Sequence, residues 1–250
     1  MDPILNLINL YKDFLFHHQG GTKIQVLENF SMKFFPGQAT ILTGPSGSGK
    51  STLLRMIYGT YRTGRGNILV RHRKKTVDIA TAAPGMIYAV RQDTIGYVSQ
   101  FLRVVPRISA LDTVIEPLIL RNVDAQSALE KGRQILARLG ISENLWHLSA
   151  TTFSGGEQQR INLARGFVAS YPIMLLDEPT ASLDPGNRAI VIELIQEAIQ
   201  NGSCVLGVFH NKSDQEKIAD QTIDMSKKFH RFPSAPGDLK TGGVKTICKH

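Results

Sequence analysis

The stretch GPSGSGKST, Gly44 to Thr52, decides the fold of this chain. It follows the apolar run Thr40 to Thr43, which has the length of a buried strand, and it precedes the apolar segment Leu53 to Tyr58, which we expect to be a helix. In this strand, loop and helix context the glycines let backbone N–H groups turn inwards around a phosphate, and the helix N-terminus adds partial positive charge. The motif therefore predicts a nucleotide-binding loop in which Lys50 contacts the β- and γ-phosphates and Ser51 offers its hydroxyl to Mg²⁺.

A second motif, YPIMLLDEP from Tyr171 to Pro179, is an apolar run of strand length that ends in two carboxylates. Asp177 stands where a carboxylate would hold Mg²⁺ through its water shell, because a hard cation prefers oxygen ligands. Glu178 is then free to orient or deprotonate the attacking water. An Asp-Glu pair after a strand is also a common solvated turn, and only the phosphate-binding loop elsewhere in the chain favours the catalytic interpretation.

Strand-like runs alternate with helical patterns along the chain, which is typical of an α/β fold with a mostly parallel sheet covered by helices. Thr40 to Thr43, Ile173 to Asp177 and Val205 to His210 are short runs that each end at a polar residue. Ligands of open parallel sheets bind beyond the carboxyl ends of the strands, so these endings should converge on one site. A helix is predicted after Asp184, which can cap it, with Pro185 at the first helical position.

Length and composition favour a single soluble domain. The chain has 250 residues, of which 42% are hydrophobic and 20% charged, and it holds no apolar stretch long enough to cross a bilayer. The N-terminus lacks the pattern of a secretion signal, and Cys204 and Cys248 lie too far apart to suggest a disulfide framework. We therefore expect a cytoplasmic protein with reduced thiols.

The net charge of +8 is unevenly placed. Residues 226–250 hold six Lys/Arg and one Asp, and their Gly, Pro and Lys content without apolar periodicity predicts a disordered basic tail. A second cluster of Arg71, Arg73, Lys74 and Lys75 follows an alternating stretch and is predicted to be an exposed hairpin turn. Solvation explains both clusters, so no nucleic-acid partner is predicted, although either cluster could dock another protein.

The segment TFSGGEQQRINLARGF, Thr152 to Phe167, adds a second phosphate-binding device, because Ser154, Gly155 and Gly156 precede a helix whose N-terminus can meet an anion. With this segment the sequence resembles an ATP-binding-cassette (ABC) ATPase. The resemblance implies that the segment, the signature of that family, contacts the γ-phosphate held by the opposite subunit of a head-to-tail dimer. The usual signature is Leu-Ser-Gly-Gly-Gln, whereas Phe153 and Glu157 stand at its first and last places here.

The same resemblance implies further roles. Gln100, which ends IGYVSQ, matches the glutamine that senses Mg²⁺ and the attacking water, and residues 182–184 match the loop that communicates across the dimer. His210, which ends VLGVFH, matches the switch histidine at the γ-phosphate.

The aromatic residue that stacks on adenine is assigned to Phe14 in the YKDF segment. Tyr11 or Phe16 could serve equally, because both are aromatic and lie within a few residues of it.

These assignments predict ATP and Mg²⁺ as cofactors, with active hydrolysis. The implied fold is a P-loop ABC ATPase domain over residues 1–225, with a mostly parallel central sheet, an antiparallel β subdomain and a helical subdomain over residues 101–159. ATP binding is assigned to Phe14, Gly44, Pro45, Ser46, Gly47, Ser48, Gly49, Lys50, Ser51, Thr52, Ser154, Gly155, Gly156, Glu157 and Asp184. Metal binding is assigned to Ser51, Gln100 and Asp177, and catalysis to Lys50, Gln100, Glu178 and His210.

Three segments carry a narrower resemblance, namely residues 99–118, 145–160 and 164–184. They are similar to the second ABC subunit of the bacterial carbon–phosphorus lyase system. This resemblance implies an ATPase that associates with the lyase core complex, dimerises with itself or a paralogous ABC subunit, and is needed to make ribose 1-methylphosphonate 5-triphosphate type intermediates.

Two other functions stay open at this point. The chain could be the ATP-binding subunit of a transporter of the lipoprotein-release and macrolide-efflux type, which would need a membrane partner. It could also be a nucleotide-gated scaffold with little turnover, a role that Glu178 disfavours.

Overall fold

The computed structural model describes residues 2–16, 22–100, 106–226 and 244–246. Two sheets organise these residues, and the helices pack around them. One sheet is antiparallel with four strands, and the other is mostly parallel with six. The predicted combination of a parallel core sheet, an antiparallel β subdomain and a helical subdomain is therefore confirmed.

The antiparallel sheet comes from the first third of the chain. Its strands are β1 (Leu5–Phe16), β2 (Thr22–Phe34), β4 (Arg65–His72) and β5 (Lys75–Asp78), in the order β2-β1-β4-β5. Arg73 has a φ of 54° in the tight turn between β4 and β5, where the basic cluster was predicted to form a hairpin turn.

The mostly parallel sheet carries the motifs. Its strands are β3 (Ala39–Thr43), β6 (Ile95–Val98), β7 (Ile173–Asp177), β8 (Cys204–Val208), β9 (Gln221–Asp224) and β10 (Val244–Thr246), in the order β10-β9-β3-β8-β7-β6. All neighbouring pairs are parallel except β9 with β10. The β7 and β8 strands are buried at every position, because helices cover both faces of such a sheet.

The helices are α1 (Lys50–Ile57), α2 (Pro84–Asp93), α3 (Ala110–Ile119), α4 (Ala125–Arg138), α5 (Gly155–Phe167), α6 (Pro185–Gln200) and α7 (Lys212–Ile218). The α6 helix begins as predicted, with Asp184 as N-cap and Pro185 in the first turn. None of the helices in the described ranges is long and apolar enough to cross a bilayer.

Two buried apolar clusters hold the elements together. One joins α3, α4 and α5 to the central sheet through residues such as Trp146, Leu163 and Leu176. The other lies between the antiparallel sheet, α1 and the opposite face of the central sheet, and includes Phe30, Phe34 and Met56. The strand and the helix on either side of the phosphate-binding loop, β3 and α1, are therefore anchored in these clusters.

Several boundaries differ from the sequence predictions. The α1 helix runs from Lys50 to Ile57, whereas the predicted apolar segment ran from Leu53 to Tyr58, and β3 begins at Ala39, one residue before the predicted run. The β8 strand ends at Val208, so the predicted run overshoots by two residues, and Phe209 and His210 lie in the connection that leads to α7. Residues 244–246 of the predicted disordered tail form β10, which adds an antiparallel edge to β9. Apart from Ser226, the rest of that tail lies outside the described residues, as do residues 101–105 of the helical subdomain.

Close packing of α5 on β6 leads to a stability prediction. A Cβ added at Gly166 would lie 2.3 Å from the Cγ2 of Val98, a buried strand residue. Overpacking of this kind costs about 1–3 kcal/mol, whereas replacing a helical glycine gains about 1 kcal/mol, which leaves a net loss of up to about 2 kcal/mol. We expect Gly166→Ala to lower the free energy of unfolding by about 1 kcal/mol, the middle of that range, measured by urea denaturation.

The matched control is Gly85→Ala in α2, where an added Cβ meets nothing within 4 Å. That variant should be neutral or slightly more stable than the parent. Equal stability of the two variants would contradict the close α5 to β6 contact.

Candidate nucleotide-binding site

The phosphate-binding loop turns into α1 at Gly49, which is the N-cap with a φ of 93°. A Cβ there would lie 2.7 Å from Val26, so both the backbone conformation and the space require glycine. Lys50 begins the helix and donates to the carbonyls of Gly44 and Pro45, at 2.9 and 2.8 Å. The ammonium group is thus held inside the turn of the loop, where the sequence predicted a phosphate contact.

Next to the loop, the Asp177 carboxylate ends β7 and is only 2% exposed. The Ser51 hydroxyl donates to its Oδ1 at 2.7 Å, so two of the three predicted metal ligands meet. The third, Gln100, contacts Glu178 instead. The Tyr97 hydroxyl donates to Oδ2 at 3.1 Å. Burial, together with the nearby charge of Asp177, raises the pKa of the Tyr97 phenol far above its ordinary range, so the phenol stays a donor.

Glu178 is the centre of the second group of polar residues. Its φ of 56° places it in the left-handed region, which is uncommon for a side chain of this size and concentrates at functional sites. The Gln100 amide donates to Glu178 Oε2 at 3.2 Å, and His210 Nε2 lies 2.7 Å from Oε1. The glutamine and histidine assigned to the γ-phosphate end of the site therefore both contact the predicted general base.

An open groove runs beside the phosphate-binding loop. It is lined by residues 25–28 of β2, residues 45–48 of the loop and residues 225–226. Ser48 Oγ is buried and has no hydrogen-bond partner within the described residues, which fits a loop that would bond an anion. The contribution of β2 was not predicted, because an ordinary strand pattern gives no sign that its edge borders a ligand groove.

The adenine-stacking assignment is not settled by this arrangement. Phe14 is half-buried and packs edge-to-face on Tyr61, at 5.5 Å between ring centroids, and Lys12 Nζ lies 4.9 Å from the Phe14 ring centre. It is not among the residues that line the groove beside the loop, whereas Val26 is. The side chain of Phe16 lies outside the described residues, so the choice among Phe14, Tyr11 and Phe16 stays a prediction.

The signature segment caps α5. Ser154 is the N-cap, its Oγ accepts from the backbone N–H of Glu157, and Glu157 Oε2 accepts from the Ser154 backbone N–H at 2.9 Å. These bonds from Ser154 lower the pKa of Glu157. No hydrogen bond or ion pair between described residues joins residues 154–157 to the loop at residues 44–52. The start of α5 is exposed, so its first N–H groups are accessible to an anion.

The loop between β7 and α6 is also locally constrained. Ser182 has a φ of 62°, and exposed Asp184 accepts from both the backbone and the side chain of Asn187, at 3.0 and 2.6 Å. Those bonds lower the pKa of Asp184. Asp184, which the sequence analysis assigned to ATP binding, therefore caps α6 in this structure.

A buried carboxylate, missed by the sequence analysis, joins two parts of the site. Asp214 in the first turn of α7 is 2% exposed and accepts from Thr180 Oγ1 at 2.9 Å. Arg188 Nε lies 4.0 Å from the same carboxylate. Thr180 follows Glu178 in the chain and Asp214 follows His210, so this hydrogen bond connects the two segments that carry them.

The fold and the site define a P-loop nucleotide hydrolase. Phosphoryl transfer to water requires a small set of groups. They are a cation and a hydroxyl at the loop, a buried carboxylate beside them, and a candidate base flanked by an amide and an imidazole.

Comparison with known proteins gives the family. A protein-family model described as ABC transporter matches residues 27–181. The lipoprotein-releasing system ATP-binding protein LolD of Hyphomonas neptunium is 34% identical over 212 residues, which cover 84% of this chain and 90% of LolD. The glutamine transport ATP-binding protein GlnQ of Escherichia coli is 33% identical over 211 residues, which cover 84% of each protein.

A solved structure gives the same result. The ATP-binding cassette MJ0796, determined as a dimer in a post-hydrolysis state bound to ADP and Pi, matches with a TM-score of 0.79 and 25% identity over 88% of this chain and 93% of that one. The chain belongs to the ABC transporter family, as an ATP-binding subunit that hydrolyses ATP.

The role of Glu178 gives a kinetic prediction. Glu178→Gln keeps the size and the contacts with Gln100 and His210 but removes the proton acceptor. We expect ATP turnover to fall by at least about 100-fold, the usual contribution of a general base, while ATP binding measured by calorimetry is retained. Glu216→Gln, the same change at an exposed site on α7, is the control and should leave turnover unchanged. Full turnover in Glu178→Gln would show that another group activates the water.

The capping box gives a pH prediction. Because the folded state lowers the pKa of Glu157, its contribution to stability is present above the unfolded pKa and is lost as the pH falls through the folded pKa. Glu157→Gln should therefore unfold at lower urea concentration than the parent at pH 7, and the difference should shrink as the pH falls below the unfolded pKa of Glu157 and through its lowered folded pKa. Glu143→Gln, an exposed position outside any capping box, should show no such difference, and a pH-independent loss in Glu157→Gln would contradict the capping role.

Proposed function

We propose that two copies of this chain, or one copy and a paralogous ABC subunit, form a head-to-tail dimer with ATP between the loop of one and the signature of the other. The observation that carries this proposal is the division of the site. The loop, Asp177, Glu178 and His210 meet within one chain, whereas the start of α5 is exposed and forms no bond to that loop. The structure of MJ0796 as a dimer with ADP and Pi supports the association of two such cassettes.

The residues divide the chemistry between them. Lys50 would leave the two loop carbonyls and bind the β- and γ-phosphates. Glu178 would accept the proton of the attacking water, with Gln100 and His210 holding its two oxygens in place. Ser51 and Asp177 fit Mg²⁺, because they supply a hydroxyl and a buried carboxylate that already meet. When bound, the metal supplies positive charge to the phosphate oxygens.

A transporter subunit is the partner that the comparisons favour. LolD and GlnQ are ATP-binding proteins of a lipoprotein-releasing system and of glutamine transport, and the chain covers most of the length of both. We therefore propose that the chain drives a membrane partner of this kind. The identities of 34% and 33% to relatives with different cargoes do not distinguish one cargo from another.

The carbon–phosphorus lyase core complex is the second candidate. It is favoured by the resemblance over residues 99–118, 145–160 and 164–184, two of which lie in the helical subdomain where a partner would dock. In this case the ATPase would serve phosphonate utilisation, and the partner would be a soluble enzyme complex rather than a permease. Phosphonate specificity would then belong to the partner, because the described site contains residues for a nucleotide only.

A pull-down distinguishes the two candidates. Glu178→Gln should accumulate the ATP-bound dimer and so enrich the partner that recognises it, whereas Lys50→Ala, which loses the phosphate cation, should not. Both variants would be purified from cells grown on a phosphonate as sole phosphorus source, and the bound proteins identified by mass spectrometry.

Enrichment of an integral membrane permease would support the transporter and exclude the lyase role. Enrichment of soluble lyase subunits would support the second candidate and exclude the first. Equal recovery of partners by both variants would contradict ATP-dependent docking.

A further inference from the structure

The Tyr97 side chain occupies a position that the nucleotide-binding motifs do not account for. It lies on β6, next to β7, and its hydroxyl donates to Asp177 Oδ2 at 3.1 Å. Ser51 holds the other oxygen, Oδ1, at 2.7 Å from the first turn of α1. The two oxygens of the buried carboxylate are therefore held by two different elements.

The direction of the Tyr97 bond follows from the chemistry of Asp177. An ionised carboxylate has acceptors only, so the phenol proton lies in the bond to Oδ2. The negative charge that makes Asp177 an acceptor is also the charge that a metal-binding carboxylate needs.

Aromatic and basic side chains pack beside Tyr97 and restrict its movement. Arg55 Nη1 donates to the Tyr61 hydroxyl at 3.2 Å. The Tyr97 ring packs on Tyr58 with centroids 5.0 Å apart, and the Arg91 guanidinium lies 4.5 Å from the Tyr58 ring centre. The phenol has little freedom to follow a moving carboxylate, so it sets the carboxylate's orientation.

We propose that Tyr97 is a positioning residue for the metal-binding carboxylate. If the Ser51 hydroxyl turned from Asp177 to a bound Mg²⁺, Tyr97 would still hold Oδ2. The carboxylate would then keep its orientation, with Oδ1 directed to the side where Ser51 lies. Mg²⁺ demands near-ideal octahedral geometry, so a carboxylate that rotates freely binds its water shell less well. This proposal rests on the Mg²⁺ site proposed above.

The test is Tyr97→Phe, which removes one oxygen and keeps the ring. ATP binding is measured by calorimetry in the non-hydrolysing Glu178→Gln background, first with EDTA and then over a Mg²⁺ titration. We expect unchanged ATP affinity in EDTA and an about three- to tenfold rise in the Mg²⁺ concentration at half-maximal enhancement, because one bond to a charged group is lost.

The matched control is Tyr58→Phe in the same aromatic pair. Within the described residues the Tyr58 hydroxyl forms no hydrogen bond, so this variant should keep the parent's Mg²⁺ dependence. A loss of the same size in both variants, or an equal loss of ATP affinity in EDTA, would reduce Tyr97 to a packing role and overturn the proposal.

Two further results of this experiment have a different interpretation. A parent protein whose ATP binding does not respond to Mg²⁺ would contradict the proposed metal site itself rather than Tyr97. If Tyr97→Phe does not fold, Tyr97→Met provides the second test, because its flexible side chain can fill the same space and also lacks the hydroxyl. It should raise the Mg²⁺ requirement in the same direction, and an unchanged requirement would overturn the proposal.

Discussion

The buried carboxylate of Asp177 is the constraint on which the rest of the site depends. An ionised carboxylate that is 2% exposed costs several kcal/mol unless bonds compensate it, and here Ser51 and Tyr97 supply one to each oxygen. These two partners come from α1 and β6, so the compensation works only if both elements pack tightly on β7. The same packing fixes the loop before α1 and places Glu178, one residue further, at the end of the sheet.

The sequence indicates the elements that bind phosphate because few residue types can perform those tasks. A left-handed N-cap at Gly49 and a proline after the Asp184 cap are local requirements that leave a local pattern. The Tyr97 and Asp214 contacts leave none, because each joins residues that are 80 and 34 positions apart. The end of β8 was misplaced for a related reason, since Phe209 is apolar and buried although it follows the strand.

The two predicted phosphate-binding elements of this chain differ in their exposure to solvent and in their contacts. In the loop at residues 44–52, Lys50 bonds to two loop carbonyls and Ser51 bonds to Asp177, whereas the N–H groups at the start of α5 face solvent and bond nothing in that loop. Glu157 completes the capping box but leaves the exposed face of the helix start open. A helix N-terminus of this kind attracts anions, and in the proposed dimer the phosphate would come from the nucleotide held by the second molecule.

The chemistry of ATP constrains this chain more strongly than its partner does. Phosphoryl transfer depends on the placement of groups such as Lys50, Asp177 and Glu178, since a misplacement of about 1 Å can cost about 100-fold in rate. A docking surface has no such common template and changes with each partner. The similar identities to LolD and GlnQ, which have different cargoes, follow from this asymmetry. In the proposed assembly, partner selection would therefore depend on the surface of the helical subdomain rather than on the nucleotide site.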